Sequence, residues 1–309
     1  MPRHKNRVRA WLPWWPALLA CGCELLSDFS PESPDAEPGD DGGSDVLPDG
    51  GGDMSCTEVL APCPPAMVHV PCGNFLMGAP DGSGAVDEHP EHIVKVSSFC
   101  IDQREVSNAQ YAECVRAGGC APPYSPSSAT RAAYYSDASF ANYPVLYVDW
   151  DFARTFCAWV GKRLPTEAEW EKAARGGCEV TAPTTCDAAD ERWYPWGNTG
   201  PACPTADFAG CTGDTDLVDA HAAGASPYAV EDAAGNVAEW TADWYAAGAY
   251  GSCATGCIDP PGPATGTART VRGGSWNDPA EDLRVSHRTS QLPDFASEQL
   301  GFRCAATIP

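Results

Sequence analysis

The chain has 309 residues, of which 42 are acidic and 19 basic, so its formal net charge at pH 7 is -23. Such a charge repels nucleic acid and anionic lipid, which argues against a DNA or RNA role, and it suits divalent cations. A hydrophobic content of 43% supports a real core and argues against wholesale disorder. The 30 glycines, 29 prolines and 11 tryptophans favour a loop-rich fold over a helical bundle.

The N-terminus predicts export. Basic residues at 3–9 precede a short apolar stretch at 11–20, which is too short to span a bilayer as a mature helix. The stretch ends Leu-Leu-Ala before Cys21, which resembles a bacterial lipobox. We therefore expect a lipoprotein signal peptide over 1–20, with Cys21 lipidated and the protein secreted and lipid-anchored in the bacterial cell envelope, at the outer membrane. The alternative is an ordinary signal peptide followed by a chance cysteine.

Residues 21–53 are rich in Pro, Gly and Asp and predict an acidic tether, because such a segment cannot bury enough apolar surface to fold. The remaining residues, 54–309, predict one folded domain. This region holds fourteen of the sixteen cysteines and no CxxC pair, so the short cysteine spacings indicate disulfide-closed loops.

Regular elements are predicted mainly in the first half of the domain. Alternating residues predict strands at 67–70 and 92–96. Helices are predicted from Ser107, from about 151 to 160, and from Thr166. The first and third helices have a Gln or Glu three residues after the capping residue, which forms a capping box. After residue 178 the periodicity fades into turns and short strands, so the domain is predicted to be α+β and loop-rich.

Seven motifs in order resemble the formylglycine-generating enzyme (sulfatase-modifying factor) family, across about residues 65–307. They are FCIDQREVSN at 99–108, YPV at 143–145, GKRLPTEAEW at 161–170, YPWGN at 194–198, GNVAEW at 235–240, RGGSW at 272–276 and GFRC at 301–304. The resemblance implies a variant of the C-type-lectin-like fold, low in regular secondary structure and stabilised by disulfides.

The resemblance also implies one long-range disulfide, between Cys157 and Cys304. The other pairs are guesses from proximity along the chain, which cannot establish connectivity. These guesses are Cys56–Cys63, Cys72–Cys100, Cys114–Cys120, Cys178–Cys186, Cys203–Cys211 and Cys253–Cys257.

The segment 232–239 is the best candidate for a metal site. Calcium prefers oxygen ligands on a tightly turning loop, and Asp232 and Glu239 offer carboxylates while Gly235 and Val237 offer carbonyls. The family resemblance implies a structural calcium at the matching loop. The alternative is a plain acidic turn. A second calcium site implied by the resemblance would fall near Asp207 and Asp214.

The catalytic motif of the family is where this sequence departs from it. The resemblance implies two cysteines shortly after the Gly-Gly-Ser-aromatic motif, which hold copper(I) as thiolates. Residues 277–284 contain no cysteine, and neither Asp278 nor Leu283 can replace a soft thiolate. We therefore expect no copper site and no formylglycine synthesis.

Two functions remain open on the sequence. The first is a non-catalytic, calcium-stabilised binding module for a peptide, glycan or envelope protein. The second is a formylglycine-generating oxidase, with a thiolate from Cys253 or Cys257, or a divergent oxidase in the same groove. His287 and Arg288 are expected near that groove, where packing and surface salt bridges are their favoured roles over chemistry.

Overall fold

The computed structural model describes residues 56, 62–181, 186–187 and 190–308. The predicted signal peptide, Cys21 and the tether lie outside the described residues. The three α-helices are α1 (Asn108–Arg116), α2 (Trp150–Trp159) and α3 (Glu167–Arg175). The strands are β1 (Met67–Val70), β2 (Gly73–Met77), β3 (His92–Val96), β4 (Phe99–Asp102), β5 (Ala238–Trp244), β6 (Cys257–Ile258), β7 (Arg269–Arg272), β8 (Arg288–Gln291), β9 (Leu300–Gly301) and β10 (Ala305–Thr307).

The described strands form three small sheets joined by long loops. Their orders are β1-β4-β10, β2-β3-β6 and β8-β7-β5-β9. In the third sheet β7 is antiparallel to both β5 and β8, whereas β9 is parallel to β5. Strand β10, close to the C-terminus, pairs with β4, so the two ends of the folded region meet in one sheet. The predicted strands at 67–70 and 92–96 are confirmed as β1 and β3.

The predicted helix starts are confirmed by their caps. Ser107 and Thr166 each accept a hydrogen bond from the backbone three residues ahead, with the reciprocal capping-box bond in place. Asp149 caps α2 by accepting from the N–H of Phe152, so this helix begins one residue before the predicted start. An aspartate at this position also satisfies a backbone donor that no helical carbonyl can reach.

Helix α3 lies at the centre of the molecule, with every residue from Glu167 to Arg175 buried. Its Trp170 joins a core with Phe75 and Val94 of the second sheet. A second core packs α1 and α2 against the third sheet, with Trp240 at its centre. An all-round buried helix with five charged residues requires internal ion pairs, and these pairs position the loops described below.

Seven disulfides cross-link the described residues, and the predicted Cys157–Cys304 bond is confirmed, with Cα atoms 5.6 Å apart. Two of the guesses from proximity were wrong: the bonds are Cys56–Cys72 and Cys63–Cys100. The reason is strand pairing, because β1 lies antiparallel to β4 and brings the segment before β1 to Cys100. The other four guesses are confirmed.

The density of disulfides points to an extracellular location, since such bonds persist in oxidising compartments. Among the residues that the structure describes, no helix combines the length and the apolar character needed to cross a membrane.

Candidate functional site

The loop at 232–239 turns sharply and leads into β5 of the third sheet at Ala238. Asp232, Gly235 and Asn236 all have positive φ angles, of 52°, 86° and 57°. At Gly235 a Cβ atom would lie 2.1 Å from the carbonyl oxygen of Asp207, so only glycine fits there. Three residues with positive φ within five positions bend the chain tightly, as the predicted calcium loop requires.

The carboxylates around this loop have very different partners. Both carboxylate oxygens of Asp232 are buried without a hydrogen-bond partner among the described residues. Glu239 accepts two hydrogen bonds from the Arg303 guanidinium, each 2.7 Å long, and one of 2.9 Å from Nε1 of Trp170. Glu105 accepts bonds from Nδ2 of Asn236 at 2.6 Å and from the N–H of Val237 at 3.1 Å. Of these three carboxylates, Asp232 is therefore the one whose burial is not offset by hydrogen bonds from the described residues.

The charge of this cluster is unbalanced. Three buried carboxylates, on Glu105, Asp232 and Glu239, surround the single guanidinium of Arg303. Ionised, they leave two negative charges uncompensated, which a divalent cation would neutralise. In its absence, burial raises the pKa of both Asp232 and Glu105, and the nearby carboxylates raise it further.

The residues present fit a hard cation such as calcium. The orphaned carboxylate of Asp232 is an anionic oxygen ligand, and the tight turn supplies the carbonyls of Gly235 and Val237 nearby in sequence. The side chain of Glu239 is already held by Arg303 and could contribute only its remaining lone pairs. No described group of three or more His, Cys, Asp or Glu side chains could hold a metal ion. A cation here would therefore depend on backbone oxygens.

Sequence reasoning missed two members of this cluster, Glu105 and Arg303. Both were within motifs that carry the family resemblance, at 99–108 and 301–304, which was the signal that could have identified them. Their contacts join segments that are far apart in the chain, so local pattern alone does not reveal them.

At the second predicted site, the Thr212 hydroxyl contacts both the Asp207 carboxylate and the backbone carbonyl of Asp214, and calcium there stays a prediction. The Asp214 carboxylate accepts bonds from Ser128 and Thr130, whereas Asp207 accepts bonds from Thr212. Asp207 instead touches the first loop through its backbone, because its carbonyl accepts the N–H of Asn236. These two aspartates thus stabilise loops around 232–239.

Asp278 and Leu283, at the positions where the family resemblance implies catalytic cysteines, have different surroundings in the structure. Leu283 is fully buried in a small core with Tyr194 and Ala234. Asp278 accepts hydrogen bonds from the N–H and the hydroxyl of Ser275, at 2.8 and 2.7 Å, which close the turn after the Gly-Gly-Ser-Trp motif. Of these two residues, only Asp278 lines the groove that lies next to this turn and is described below.

This groove contains a cavity of about 270 Å³ over the third sheet. Its floor includes Ala238 of β5, Val271 of β7 and Leu300 of β9, and its side includes Thr289 and Gln291 of β8. The loops at 273–287 and 292–299 form the walls. The cavity is therefore built on all four strands, with its shape set by the connecting loops.

The charged residues that line the groove are acidic. Asp278 and Asp282 contribute carboxylates, and Nδ1 of His287 lies 3.6 Å from Oδ1 of Asp282. Burial lowers the pKa of His287, so its ring is neutral at pH 7. Arg288 instead points into the protein and pairs with Glu167 at 2.7 Å.

All fourteen described cysteines form disulfides. Cys253 and Cys257, the late candidates for a rescuing thiolate, are bonded to each other. Cys304 is bonded to Cys157. Within the described residues the groove therefore has no thiol in its neighbourhood.

Comparison with known proteins identifies the family to which this chain is related. The family model for the sulfatase-modifying factor enzyme 1-like domain matches residues 57–308. The formylglycine-generating enzyme of Thermomonospora curvata is 36% identical over 297 residues, covering 78% of this chain and 93% of that protein. The inactive C-alpha-formylglycine-generating enzyme 2 of Mus musculus is 32% identical over 299 residues, covering 79% and 86%. Similar sequences thus include both an active and an inactive protein.

Solved structures give the same picture of the fold. PvdO from Pseudomonas aeruginosa superposes with a TM-score of 0.62 at 25% identity, covering 78% of this chain and 94% of that one. The Treponema denticola variable protein 1 superposes with a TM-score of 0.60 at 25% identity, with the same coverage. The predicted fold class, loop-rich and low in regular structure, is confirmed.

Proposed function

The chain belongs to the formylglycine-generating enzyme (sulfatase-modifying factor) family, and from that premise we propose that it is a non-catalytic binding module of the cell envelope. Its domain would bind a peptide, glycan or envelope protein in the groove over the third sheet. Calcium at 232–239 would stabilise the loops around that groove, and a lipid on Cys21 would anchor it.

The observation that carries this proposal is the chemistry of the groove wall. Copper(I) is a soft ion and requires soft ligands, whereas the wall presents the carboxylate of Asp278 and buries Leu283. The pairing of Cys253 with Cys257 removes the alternative source of thiolate. Oxidation of a substrate cysteine by dioxygen has no metal centre to start from in such a groove.

The calcium part of the proposal rests on Asp232. A carboxylate that is buried without a partner is costly, and a structural dication at the turn would satisfy it. Calcium would also neutralise the two excess charges beside Arg303. Its contribution would be to hold the loop and, through Asp207 and Asn236, the neighbouring segment.

The decisive experiment is an assay for turnover. The full chain, produced through an oxidising compartment and solubilised in detergent, is incubated with copper(I), oxygen and a Cys-x-Pro-x-Arg peptide, and peptide mass is measured. We expect no conversion beside an active family enzyme. Conversion to formylglycine would overturn the proposal, and a Cys253→Ser/Cys257→Ser variant would then show whether that pair supplies the thiolates.

The anchor has a separate test. Cells expressing the chain are labelled with a clickable palmitate analogue, and the Cys21→Ser variant serves as the matched control. We expect label on the wild type and none on the variant. Equal release of both proteins into the medium, without label, would indicate an ordinary signal peptide.

A further inference from the structure

The segment 203–211 packs directly against the loop 232–239. The backbone carbonyl of Asp207, in the middle of this segment, accepts the N–H of Asn236 at 2.9 Å. Gly235 lies so close to the same carbonyl that a Cβ atom there would be 2.1 Å from its oxygen. The two residues that form the tight turn of the loop are therefore held in place by the backbone of a second segment.

The same segment also reaches the wall of the groove. The N–H of Ala209 donates to the backbone carbonyl of Asp278 at 2.9 Å. Ala206 is fully buried and shares a small core with Ala234 and Leu283. Because protein interiors are close-packed, a displacement of this segment would move the neighbours on both sides. The segment thus connects the turn of the loop to the groove wall.

A solvent-facing disulfide closes this segment at its two ends. Cys203 and Cys211 are bonded at a sequence separation of 8, and Cys203 is exposed while Cys211 is half-buried. Of the seven disulfides among the described residues, only this one and Cys56–Cys72 contain no buried cysteine. Access for an attacking thiolate is one determinant of thiol–disulfide exchange. Opening the bond would return conformational freedom to the segment that holds the loop.

We propose that the Cys203–Cys211 disulfide is a redox-sensitive clamp on the loop 232–239, and that its reduction by a dithiol weakens calcium binding there. This inference rests on the calcium part of the proposed function and names a regulation of that site. One thiolate of the dithiol attacks Sγ of Cys203 and displaces Cys211 as a thiolate. The second thiolate then attacks the mixed disulfide and releases Cys203. Two electrons and two protons pass to the protein, and the dithiol becomes a disulfide.

The first test measures the calcium affinity of the full chain by isothermal titration calorimetry, after production through an oxidising compartment and solubilisation in detergent. The binding assigned to the loop is the part that Asp232→Gly abolishes. Cys203→Ser/Cys211→Ser should raise the Kd of this binding at least about fivefold. Cys56→Ser/Cys72→Ser is the matched control, because it removes the other disulfide that contains no buried cysteine, and less than about a twofold change is expected.

The second test uses the wild-type chain, so it does not depend on the folding of a variant. Coupling between two sites is reciprocal, so bound calcium must oppose reduction by the same factor. The chain is equilibrated with mixtures of reduced and oxidised dithiothreitol, in calcium or in EDTA, and its free thiols are alkylated and mapped by peptide mass. Calcium should raise the ratio of reduced to oxidised dithiothreitol that half-reduces Cys203–Cys211 at least about fivefold, and leave that of Cys56–Cys72 unchanged.

The contrary results separate the clamp from the calcium site. Equal losses of calcium affinity in the two double variants, or no loss in either, would overturn the clamp and leave the calcium site in place. An equal shift of both reduction midpoints, or none at Cys203–Cys211, would do the same. A wild type without the calcium binding that Asp232→Gly abolishes would remove the calcium part of the proposed function, and the clamp with it.

Discussion

Two buried charged clusters in this protein are built differently. Under α3, the carboxylates of Glu167 and Glu171 are paired with the guanidiniums of Arg175, Arg272 and Arg288. At the loop 232–239, three buried carboxylates share one guanidinium, and one of them has no hydrogen-bond partner in the part of the chain that the structure describes. In the first cluster every carboxylate is paired with at least one guanidinium, whereas in the second the carboxylate of Asp232 has no hydrogen-bond partner among the described residues.

The difference indicates what each cluster is for. Burying a charge is costly unless it is paired, so a cluster with matched protein groups serves as an internal frame. A cluster with two excess negative charges is the one that a bound divalent cation would stabilise. The geometry of the turn, with three positive φ angles, agrees with that role.

The largest effect on stability should come from a substitution in the ion-paired cluster under α3. Arg272 is fully buried and contacts Glu171 and Glu167, so Arg272→Met removes the guanidinium that bridges these two carboxylates and leaves the groups it bonded without that partner. We expect the free energy of unfolding to fall by about 3–5 kcal/mol, measured by urea denaturation with the disulfides intact.

The exposed pair Arg154–Asp151 supplies the control for Arg272, because both side chains are more than half exposed. Arg154→Met should cost less than about 1 kcal/mol. A similar loss for both variants would show that the buried frame contributes no more than a surface ion pair.

The next effect concerns calcium at the unbalanced cluster. At a calcium concentration of about 100 times Kd, the free energy of unfolding of the wild type should rise by about 2.7 kcal/mol over its value in EDTA. Asp232→Gly should abolish this gain, because glycine tolerates the positive φ but offers no carboxylate. In EDTA the variant should be at least as stable as the wild type, because the buried carboxylate that it loses had no hydrogen-bond partner among the described residues.

Asp259→Gly is the matched control, because Asp259 has a φ of 43° and its carboxylate lies at the exposed surface against Ser97. This variant should keep the full calcium gain. Thermal unfolding with and without calcium distinguishes the two. A wild type that gains nothing from calcium, with Asp232→Gly less stable in EDTA, would mean that Asp232 has a protein role instead.

The sequence alone predicts features whose contacts join residues close together in the chain. It does not predict those whose contacts join distant residues. The cap at Thr166 and the turn at Gly235 follow from residues close in sequence, and both were predicted. The Cys157–Cys304 bond was predicted only through the family resemblance. The pairing of Cys63 with Cys100 was not, because it depends on β1 lying beside β4.

The charge balance was beyond the sequence for the same reason. Asp232 was chosen as a ligand from its loop, but its isolation is visible only when Glu105 and Arg303 are in place. Likewise, nothing in the local pattern of α3 says that Arg272 and Arg288 reach its glutamates from the third sheet. Tertiary pairing of charges has no short-range signal.

The third prediction tests the ion-paired cluster under α3 through the pH dependence of the free energy of unfolding. Burial and, to a smaller extent, the neighbouring charge of Glu167 raise the pKa of Asp243 to about 7. The folded protein therefore holds a proton that the unfolded chain releases near pH 4, and this stabilisation is lost as the pH rises toward 7. Asp243→Asn should flatten the decline in unfolding free energy between pH 5 and 8 by on the order of 2 kcal/mol.

The Asn variant keeps an oxygen that can accept the N–H of Glu167, so the hydrogen bond of 2.7 Å is preserved. Asp137→Asn is the control, because Asp137 is exposed and the Ser139 N–H lowers its pKa. Urea denaturation at a series of pH values gives both slopes. Parallel slopes for Asp243→Asn and the wild type would place the pH dependence elsewhere in the molecule.

The smallest effect lies at the rim of the unbalanced cluster. Arg104 contacts Glu231 at 3.0 Å and Asp219 at 3.6 Å, but 42% of its side chain is exposed. Arg104→Gln should therefore cost less than about 1 kcal/mol, and the difference from the wild type should fade between 50 mM and 500 mM NaCl because exposed pairs are screened. Urea denaturation at both salt concentrations measures it. A loss above 2 kcal/mol that salt does not change would place Arg104 and its partner Glu231 inside the cluster, with no change in the two excess negative charges, because this pair is neutral.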